Sequence, residues 1–524
     1  MLNNVTFSFL CAVNFLLLPF MVYRANAQEI SQKIYEDTPS PMRQNESAIN
    51  RVRMQGGSQE AKNESKSGME FLRTPENRFE NLPGYPFAPH YVYVDDYEGG
   101  QLRMHYVDEG PKDAPTLLMI HGNPTWSYLF RDVLPYLNDA GYRTIMIDLI
   151  GMGRSDKPTQ IDDYTYDRHL GWVKQMFDHL DATLNLGQVV IFGHDYGTPL
   201  GIRLMNEHYP TRFDGFINAN ASLPDGDHVS PVHRRWRRFV RNRPRVPVGH
   251  LVTANVDPPL NSREIYAYYA PFPDVSYMAA VRSFPEMVPD TPDEPEAIAN
   301  IKAWGYMETF SKPFMTIFGQ YDPVMFPSAR MEFIDRVPGA YGQPHAQLDV
   351  KHYAPEDKPQ EVAEAVIQFL SDLYNPKSFV ALQYADFESG FDGFVPSGGS
   401  VQHDANRGTV EIRGNRKDSS IGQENPMNLT DYEALKVAFR YRPSGMEQGE
   451  NLMVELWNGS AWIQVLGLTS GVDFRNGALD YGYVRLDRSQ IDFAADAKVR
   501  LRIESSDSSN VISLLDVGIY GRPR

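Results

Sequence analysis

The chain of 524 residues contains a single cysteine, Cys11, which lies inside an apolar stretch at the N-terminus. If that stretch is removed, the remaining protein has no thiol. This excludes disulfide bonds, a cysteine nucleophile and thiolate metal ligands. Positive charge is also in deficit, because 50 Lys and Arg stand against 67 Asp and Glu, for a net charge of −17. This balance argues against nucleic acid or an anionic membrane as a partner.

Beyond the N-terminus, the sequence has no apolar run of membrane-spanning length. Residues 1–27 combine an apolar run with Ala-Asn-Ala before Gln28, which predicts a cleaved signal peptide and a secreted or periplasmic protein. No Lys or Arg precedes the apolar run, so an uncleaved membrane anchor is the alternative. Residues 28–69 are polar and have few apolar side chains to bury, which predicts a disordered linker.

Residues 70–375 contain short apolar runs that alternate with longer helical stretches. The runs are TLLMI (116–120), RTIMI (143–147), VVIFG (189–193), GFIN (215–218) and PFMTIFG (313–319). Continuous apolar runs at this spacing predict a mostly parallel sheet that helices cover on both faces. Residues 223–309 interrupt this rhythm with prolines, aromatic residues and a basic run. They predict an inserted helical cap over the carboxyl edge of the sheet.

Past Pro376 the pattern changes again. The stretches LKVAFRYR, LMVELW, AWIQVL and AKVRLRIES alternate apolar and polar residues, and turn signals such as Asn458-Gly459 separate them. This predicts an all-β sandwich of the jelly-roll kind over residues 380–524. The expected fold class is therefore α/β with a second, all-β domain.

A glycine-flanked turn follows the run 189–193. Gly193 and Gly197 bracket Asp195, which matches a strained strand-to-helix turn that presents a nucleophile. The sequence HGNPTW (121–126) follows the strand 116–120, where a second oxyanion donor is expected, and the backbone N–H of Asn123 is the candidate.

The other members of a triad should follow in the order acid, then base. Asp322 lies directly after the strand 313–319, and His352 follows a short strand and precedes a helix. Both positions fall where loops converge on Asp195, so we expect Asp322 and His352 to complete a triad. His345 is the nearest competitor for the base.

An aspartate nucleophile restricts the chemistry. A carboxylate is already ionised, so it can displace a leaving group from sp³ carbon and form an alkyl ester on the enzyme. The histidine then activates a water that attacks the ester carbon. The expected substrates are therefore haloalkanes or epoxides, with water as the co-substrate and no organic cofactor.

Residues 69–372 resemble the haloalkane dehalogenases of the α/β-hydrolase fold. The resemblance rests on HGNPTWSYLFRDVLPYL, IDLIGMGRSDKP, GHDYG, APFPDVSYMAAVRSFPEMVP and HYAPEDKPQEVAEAVIQFL in this order. It implies Asp195 as nucleophile, His352 as base, Asp322 as acid and Asn123 as a donor to the leaving halide. The stretch FINAN offers no carboxylate after its strand, so the family's glutamate variant does not fit.

One position departs from the family pattern. Members usually have tryptophan directly after the nucleophile, where its indole N–H holds the halide, and this chain has Tyr196. A phenol can donate a hydrogen bond, but its O–H lies farther out. Trp126, Trp236 and Trp304 are candidates for a replacement donor, and Trp126 is the one included with Asn123 and Tyr196 in the predicted halide site.

The C-terminal stretch resembles a jelly-roll accessory module of secreted hydrolases and peptidases, which implies glycan or surface binding. Its first and last strands would be neighbours, so Asp386, Glu388 and Asp516 are candidates for a structural Ca²⁺ site. Two alternative functions remain open. An epoxide hydrolase would use the same nucleophile with cap tyrosines as acids, drawn from Tyr266, Tyr268, Tyr269 and Tyr277. A non-catalytic secreted binding protein would leave the triad unused.

Overall fold

The computed structural model describes residues 63–64, 68–227, 231–325, 327–375, 377–398, 400–414, 419–505 and 507–524. The predicted signal peptide and most of the predicted linker lie outside the described residues. The end of that linker is not wholly irregular, because Asn63–Glu64 forms a strand paired with Glu70–Leu72. Within the described part of the chain, no helix has the length and apolarity needed to cross a bilayer.

The first two thirds of the chain contain strands and α-helices in alternation. The strands are β1 (Asn63–Glu64), β2 (Glu70–Leu72), β3 (His90–Asp95), β4 (Gln101–Glu109), β5 (Thr116–Ile120), β6 (Arg143–Asp148), β7 (Lys157–Pro158), β8 (Val189–His194), β9 (Gly215–Ala219), β10 (Phe314–Gly319) and β11 (Ala346–Leu348). The α-helices are α1 (Leu134–Asp139), α2 (Tyr166–Leu184), α3 (Gly197–His208), α4 (Pro231–Arg241), α5 (Val248–Thr253), α6 (Ser262–Tyr269), α7 (Ala279–Ser283), α8 (Pro295–Met307), α9 (Pro327–Arg336), α10 (Ala354–Asp357) and α11 (Pro359–Tyr374). Short 3₁₀ helices lie at Glu76–Phe79, Ser127–Phe130, Ile161–Asp163, Val275–Tyr277, Phe284–Met287 and Pro338–Ala340.

The described residues form a central sheet of eight strands in the order β11-β10-β9-β8-β5-β6-β4-β3. The six neighbouring strands β11, β10, β9, β8, β5 and β6 pair in parallel. The strand β4 pairs antiparallel with β6 and with β3. Every residue of β5, β6, β8, β9 and β10 is buried. This is the burial expected where helices cover both faces, and it confirms the predicted α/β class.

The helices begin and end at local sequence signals. The side chain of Thr165 accepts a hydrogen bond from the Arg168 backbone N–H at 3.1 Å and caps α2. Asn185 ends that helix with a left-handed φ of 50°, as C-terminal residues of helices often do. Between β9 and β10 the described elements are all helical and include α4 to α8, which agrees with an inserted helical cap.

The remaining strands form two antiparallel sheets. They are β12 (Val380–Ala385), β13 (Phe394–Ser397), β14 (Ser400–Asp404), β15 (Thr409–Arg413), β16 (Ser420–Gln423), β17 (Tyr432–Ser444), β18 (Asn451–Trp457), β19 (Trp462–Thr469), β20 (Asp480–Asp487), β21 (Lys498–Glu504) and β22 (Val511–Pro523). One sheet has the order β14-β15-β22-β17-β20 with β12 beside β22, and the other has the order β13-β16-β21-β18-β19. Apolar side chains such as Phe439, Leu456 and Leu501 fill a core of their own. This region is the predicted β-sandwich, and its first and last strands are neighbours as expected.

Candidate active site

Asp195 occupies a sharp turn between β8 and α3. Its φ of 51° is left-handed, which is uncommon for a residue with a side chain and costs backbone strain. A Cβ on Gly193 would lie 2.6 Å from Thr198 Cα, and one on Gly197 would lie 2.0 Å from the Ile120 carbonyl oxygen. Only glycine fits at either position, so the two glycines permit the turn that presents Asp195 to the cavity above the sheet.

The structure brings the three predicted triad residues together. His352 Nδ1 lies 2.8 Å from Asp322 Oδ2, and His352 Nε2 lies 3.3 Å from Asp195 Oδ2. Each side chain is almost fully buried. Asp195 follows β8, Asp322 follows β10, and His352 follows β11, so three carboxyl strand ends of one sheet converge on the site. These distances are the ones that a nucleophile, a base and an acid that orients the base require.

His345, the competing base, has a structural position instead. Its Nδ1 accepts a hydrogen bond from the Thr316 backbone N–H at 2.9 Å, and its Nε2–H donates to the Ala340 carbonyl at 2.8 Å. Burial lowers the pKa of His345 to about 3. It therefore joins β10 to a neighbouring loop as a neutral ring.

Asp322 is held by partners that the sequence did not reveal. Its Oδ1 accepts hydrogen bonds from the backbone N–H groups of Val324 and Met325 at 2.7 and 3.0 Å. The Asn220 side chain donates to Asp322 Oδ2 at 2.7 Å. Asn220 lies at the end of β9 within FINAN, so the stretch that lacks a carboxylate supplies a donor to the acid. Its place at a carboxyl strand end was the available signal.

The two carboxylates control the charge of the base. Burial disfavours the imidazolium, but Asp322 and Asp195 outweigh it and raise the pKa of His352. Burial likewise disfavours the Asp322 carboxylate, yet His352 keeps the pKa of Asp322 below its usual value. An alkyl group bonded to Asp195 would remove one of the two negative charges. The pKa of His352 should then fall, so that the ring can release its proton to solvent and is neutral, and able to accept a proton, at the stage when a base is required.

Two further histidines fix the loops around the nucleophile. The ring Nε2–H of His194 donates to the backbone carbonyl of His352 at 3.0 Å, and burial lowers the pKa of His194 to about 4. His121 Nε2 accepts the Leu149 backbone N–H at 3.0 Å, while its Nδ1–H donates to the Gly122 carbonyl at 2.8 Å. Both rings adjoin motif residues, and neither was predicted to have a role.

Asn123 lies at the predicted oxyanion position. Its backbone N–H donates to Asp195 Oδ1 at 2.9 Å. Its side-chain amide lines the cavity and donates to the Val281 carbonyl at 3.3 Å. An amide nitrogen carries two N–H groups, and the contact with Val281 uses one of them. Asn123 therefore contacts one carboxylate oxygen through its backbone and faces the cavity through its side chain.

The triad opens into a cavity of about 460 Å³ between the sheet and the cap. The phenol oxygens of Tyr166 and Tyr196 are buried and, within the described residues, have no hydrogen-bond partner. Both side chains line this cavity. Burial and the Asp195 carboxylate raise the pKa of Tyr196 well above its ordinary value, so it stays protonated and can donate. We refer to Asn123, Tyr166 and Tyr196 as the donor wall.

The chain is similar to known proteins in sequence and in fold. The α/β-hydrolase fold family matches residues 115–359. A haloalkane dehalogenase of Mycolicibacterium paratuberculosis is 43% identical over 306 residues, which cover 58% of this chain and 100% of that protein. One from Mycobacterium marinum is 44% identical over 302 residues, which cover 57% and 100%. The chain belongs to the haloalkane dehalogenase family. The tetrameric structure of the haloalkane dehalogenase DpaA from Paraglaciecola agarilytica superposes with a TM-score of 0.54 at 31% identity and covers 59% of this chain and 100% of that one.

Two of the three tryptophans considered as replacement halide donors do not line the cavity, and the prediction for Trp126 is wrong. Its indole N–H donates to the Ala267 carbonyl at 3.2 Å, and the side chain is fully buried against Phe79 and Tyr85. Trp304 donates to the Leu223 carbonyl at 2.9 Å. Of the three candidates, Trp236 alone is among the side chains that line the described cavity.

The cap tyrosines named for an epoxide hydrolase are not among the residues that line the described cavity. Tyr268 is buried against Glu356, and the Tyr269 hydroxyl lies 2.8 Å from His250 Nδ1. Tyr266 is exposed and Tyr277 is buried. The phenols in the cavity are instead those of Tyr166, on α2, and of Tyr196, in the turn that presents Asp195. Tyr166 was not predicted, because it lies far from the motifs along the chain.

The structure does not support the predicted Ca²⁺ site. Asp516 is buried and accepts a hydrogen bond from the Arg440 guanidinium at 2.5 Å. Asp386 and Glu388 are exposed beyond the end of β12. Among the residues that the structure describes, no three acidic, His or Cys side chains form a group that could hold a metal. The arginine satisfies Asp516 because adjacent strands bring the two together.

Proposed function

We propose that the protein hydrolyses haloalkanes to an alcohol and a halide through an alkyl ester on Asp195. The observation that carries the proposal is the setting of the Asp195 carboxylate. Oδ1 accepts the Asn123 backbone N–H at 2.9 Å, and Oδ2 lies 3.3 Å from His352 Nε2. One oxygen is thus held at the position of an oxyanion, and the other faces the cavity and the base.

In the first step, an Asp195 oxygen attacks the carbon that bears the halogen. A carbon–oxygen bond forms, and the halide leaves with the electron pair of the carbon–halogen bond. The amide of Asn123 and the phenol of Tyr196 supply hydrogen bonds to the departing anion, as donors aimed at developing charge should. Tyr166 is a second phenol at the same cavity.

In the second step, His352 removes a proton from water, which attacks Cγ of the ester. The Asn123 N–H stabilises the negative charge on the tetrahedral oxyanion. The intermediate collapses, and the alkyl–oxygen fragment leaves as the alcohol with a proton from His352. The carboxyl group formed on Asp195 then loses its proton to solvent, which restores the carboxylate. Asp322 keeps the ring oriented and balances its charge throughout. The sum is haloalkane plus water giving alcohol, halide and a proton.

A trapping experiment tests this mechanism. His352→Phe should form the ester and stop, so one halide is released per enzyme and the intact protein gains the mass of the alkyl group. A peptide that contains Asp195 should hold the added mass. If His352→Phe and the parent both leave a broad panel of bromo- and iodoalkanes unreacted, the proposal fails. The same result would favour a non-catalytic binding protein.

Epoxide hydrolysis is the second candidate, because Tyr166 and Tyr196 line the cavity with phenols that have no hydrogen-bond partner in the part of the chain that the structure describes. Two tyrosines beside an aspartate nucleophile could protonate the oxygen of an opening epoxide. Styrene oxide separates the two functions. Diol formation without halide release from bromoalkanes would favour the epoxide reaction.

Three further expectations belong to the proposal. The protein uses water and no organic cofactor. It is exported, and its signal peptide is cleaved before Gln28. N-terminal sequencing of the protein recovered from the periplasm or the medium tests this expectation. The β-sandwich attaches to a glycan or surface, which sedimentation of the full chain with insoluble polysaccharides tests.

A further inference from the structure

Helix α9 forms one wall of the substrate cavity. Ser328, Ala329 and Glu332 line the cavity from this helix. Residues at these spacings share one face of an α-helix. Residues 323–325, which lead from Asp322 toward α9, line the cavity as well.

The opposite face of α9 packs on the C-terminal β-sandwich. Arg330 Nη2 lies 2.5 Å from Asp480 Oδ1, and the Arg330 side chain is 5% exposed. Met331 and Ile334 form an apolar cluster with Tyr481 on β20. A single helix thus separates the cavity from the sandwich, with one face turned to each.

The sandwich also contacts the chain next to the acid. The side-chain amide of Gln320 donates to the Val472 carbonyl at 2.7 Å. Gln320 is two residues before Asp322. The sandwich therefore contacts the chain both before the acid and after it, and the cavity-lining residues 323–325 lie between these two contacts.

We infer that the β-sandwich is a positioning domain, which holds α9 through Arg330, Asp480 and Tyr481 and so sets the width of the cavity for the substrate's alkyl chain. The inference rests on the proposed function. A packed helix transmits a displacement because its two faces move together. Loosening the outer face should let the inner face retreat, which alters the fit of long alkyl chains more than that of short ones.

The same interface offers a matched control. Asp372 on α11 is buried and lies 2.6 Å from Lys436 Nζ and 2.6 Å from Arg485 Nη1 of the sandwich. None of these residues lines the cavity. Asp372→Asn and Asp480→Asn therefore remove the same charge from the same interface, but only Asp480 pairs with a residue of α9.

The experiment uses the full chain and a series of 1-bromoalkanes from ethyl to octyl. We expect Asp480→Asn to change KM for the longest substrates by about 2- to 30-fold, the range of coupling through packed elements, with kcat and the ethyl substrate nearly unchanged. Asp372→Asn should leave this chain-length profile as in the parent, and Asp480→Glu should restore most of it. If Asp480→Asn does not fold, Met331→Ala replaces it.

Hydrogen exchange gives a readout that does not depend on turnover. Amides of 327–336 should exchange faster in Asp480→Asn than in the parent or in Asp372→Asn. Equal exchange and an unchanged chain-length profile would overturn the inference while leaving the proposed function intact. If no variant or parent releases halide but exchange still rises selectively, the proposed function fails and the positioning role stands.

Discussion

Asp195 and His352 of the triad line the same cavity as the donor wall, but the triad and the two phenols of that wall differ in how their polar groups are satisfied. Every member of the triad contacts another protein group at 3.3 Å or less. In contrast, the phenols of Tyr166 and Tyr196 have no partner among the described residues. Buried polar groups without a partner are costly. The difference indicates that protein contacts fix the geometry of the triad, whereas the two phenols keep hydrogen-bond donors that no described protein group uses.

Removing the nucleophile should cause the largest loss of activity. Asp195→Ala leaves no oxygen to form the ester, so halide release should fall by on the order of 10⁴- to 10⁶-fold. Initial rates of bromide release measure the change. Circular dichroism should show an unchanged fold. Residual activity within about tenfold of the parent would mean that another group attacks the substrate.

Neutralising the acid should be the next largest effect. Asp322→Asn keeps the shape but removes the charge that balances the imidazolium, so we expect kcat to fall by about 10³- to 10⁴-fold. The exposed Asp349→Asn, in the loop before His352, is the control and should be near neutral. Because the base acts after halide departure, a burst of halide should persist. Loss of the burst along with turnover would contradict this division of roles.

The strand ends made the triad predictable, and the motifs placed Asn123 and Tyr196 beside it, whereas the position of Tyr166 depends on tertiary structure. Asp195 and Asp322 each follow an apolar run and His352 follows a short strand, so parallel order alone placed them at one edge. The boundaries of α2 also follow from local signals at Thr165 and Asn185.

Other contacts cross long distances in sequence. The Trp126 indole finds its partner 141 residues away, and Arg330 pairs with Asp480 across 150 residues. Asp516 is neutralised by Arg440 on a neighbouring strand. No local pattern encodes such pairings, which is why the predicted indole donor and the predicted cation site were wrong.

Changing the donor wall should have a smaller effect than changing the triad. Tyr196→Phe removes one hydrogen-bond donor from the leaving group, and we expect kcat/KM for bromoalkanes to fall by about 10²-fold. The exposed Tyr93→Phe is the matched control. An unchanged rate would mean that Tyr196 packs in the cavity without touching the halide.

The variant Tyr196→Trp tests the same hydrogen bond to the halide by replacing the phenol with an indole. It introduces the indole N–H that the family usually has at this position, so we expect faster halide-dependent turnover, measured with bromide and chloride substrates of one chain length. Epoxide turnover should not rise in parallel. No gain with haloalkanes, together with good turnover of epoxides, would favour epoxide hydrolysis.

The smallest effect is on stability as pH rises. Since the carboxylates raise the pKa of His352 to about 10 in the folded protein, its ion pairs contribute fully to stability below the unfolded pKa of about 6.5. That contribution is lost as pH rises from there through the folded pKa. Asp322→Asn lowers the folded pKa, so its melting temperature should lie farthest below the parent's near neutral pH and approach it above pH 10. A difference in melting temperature that stays constant across this pH range would mean that His352 is not charged in the resting enzyme. The ring would then be neutral, and able to accept a proton, before the ester forms.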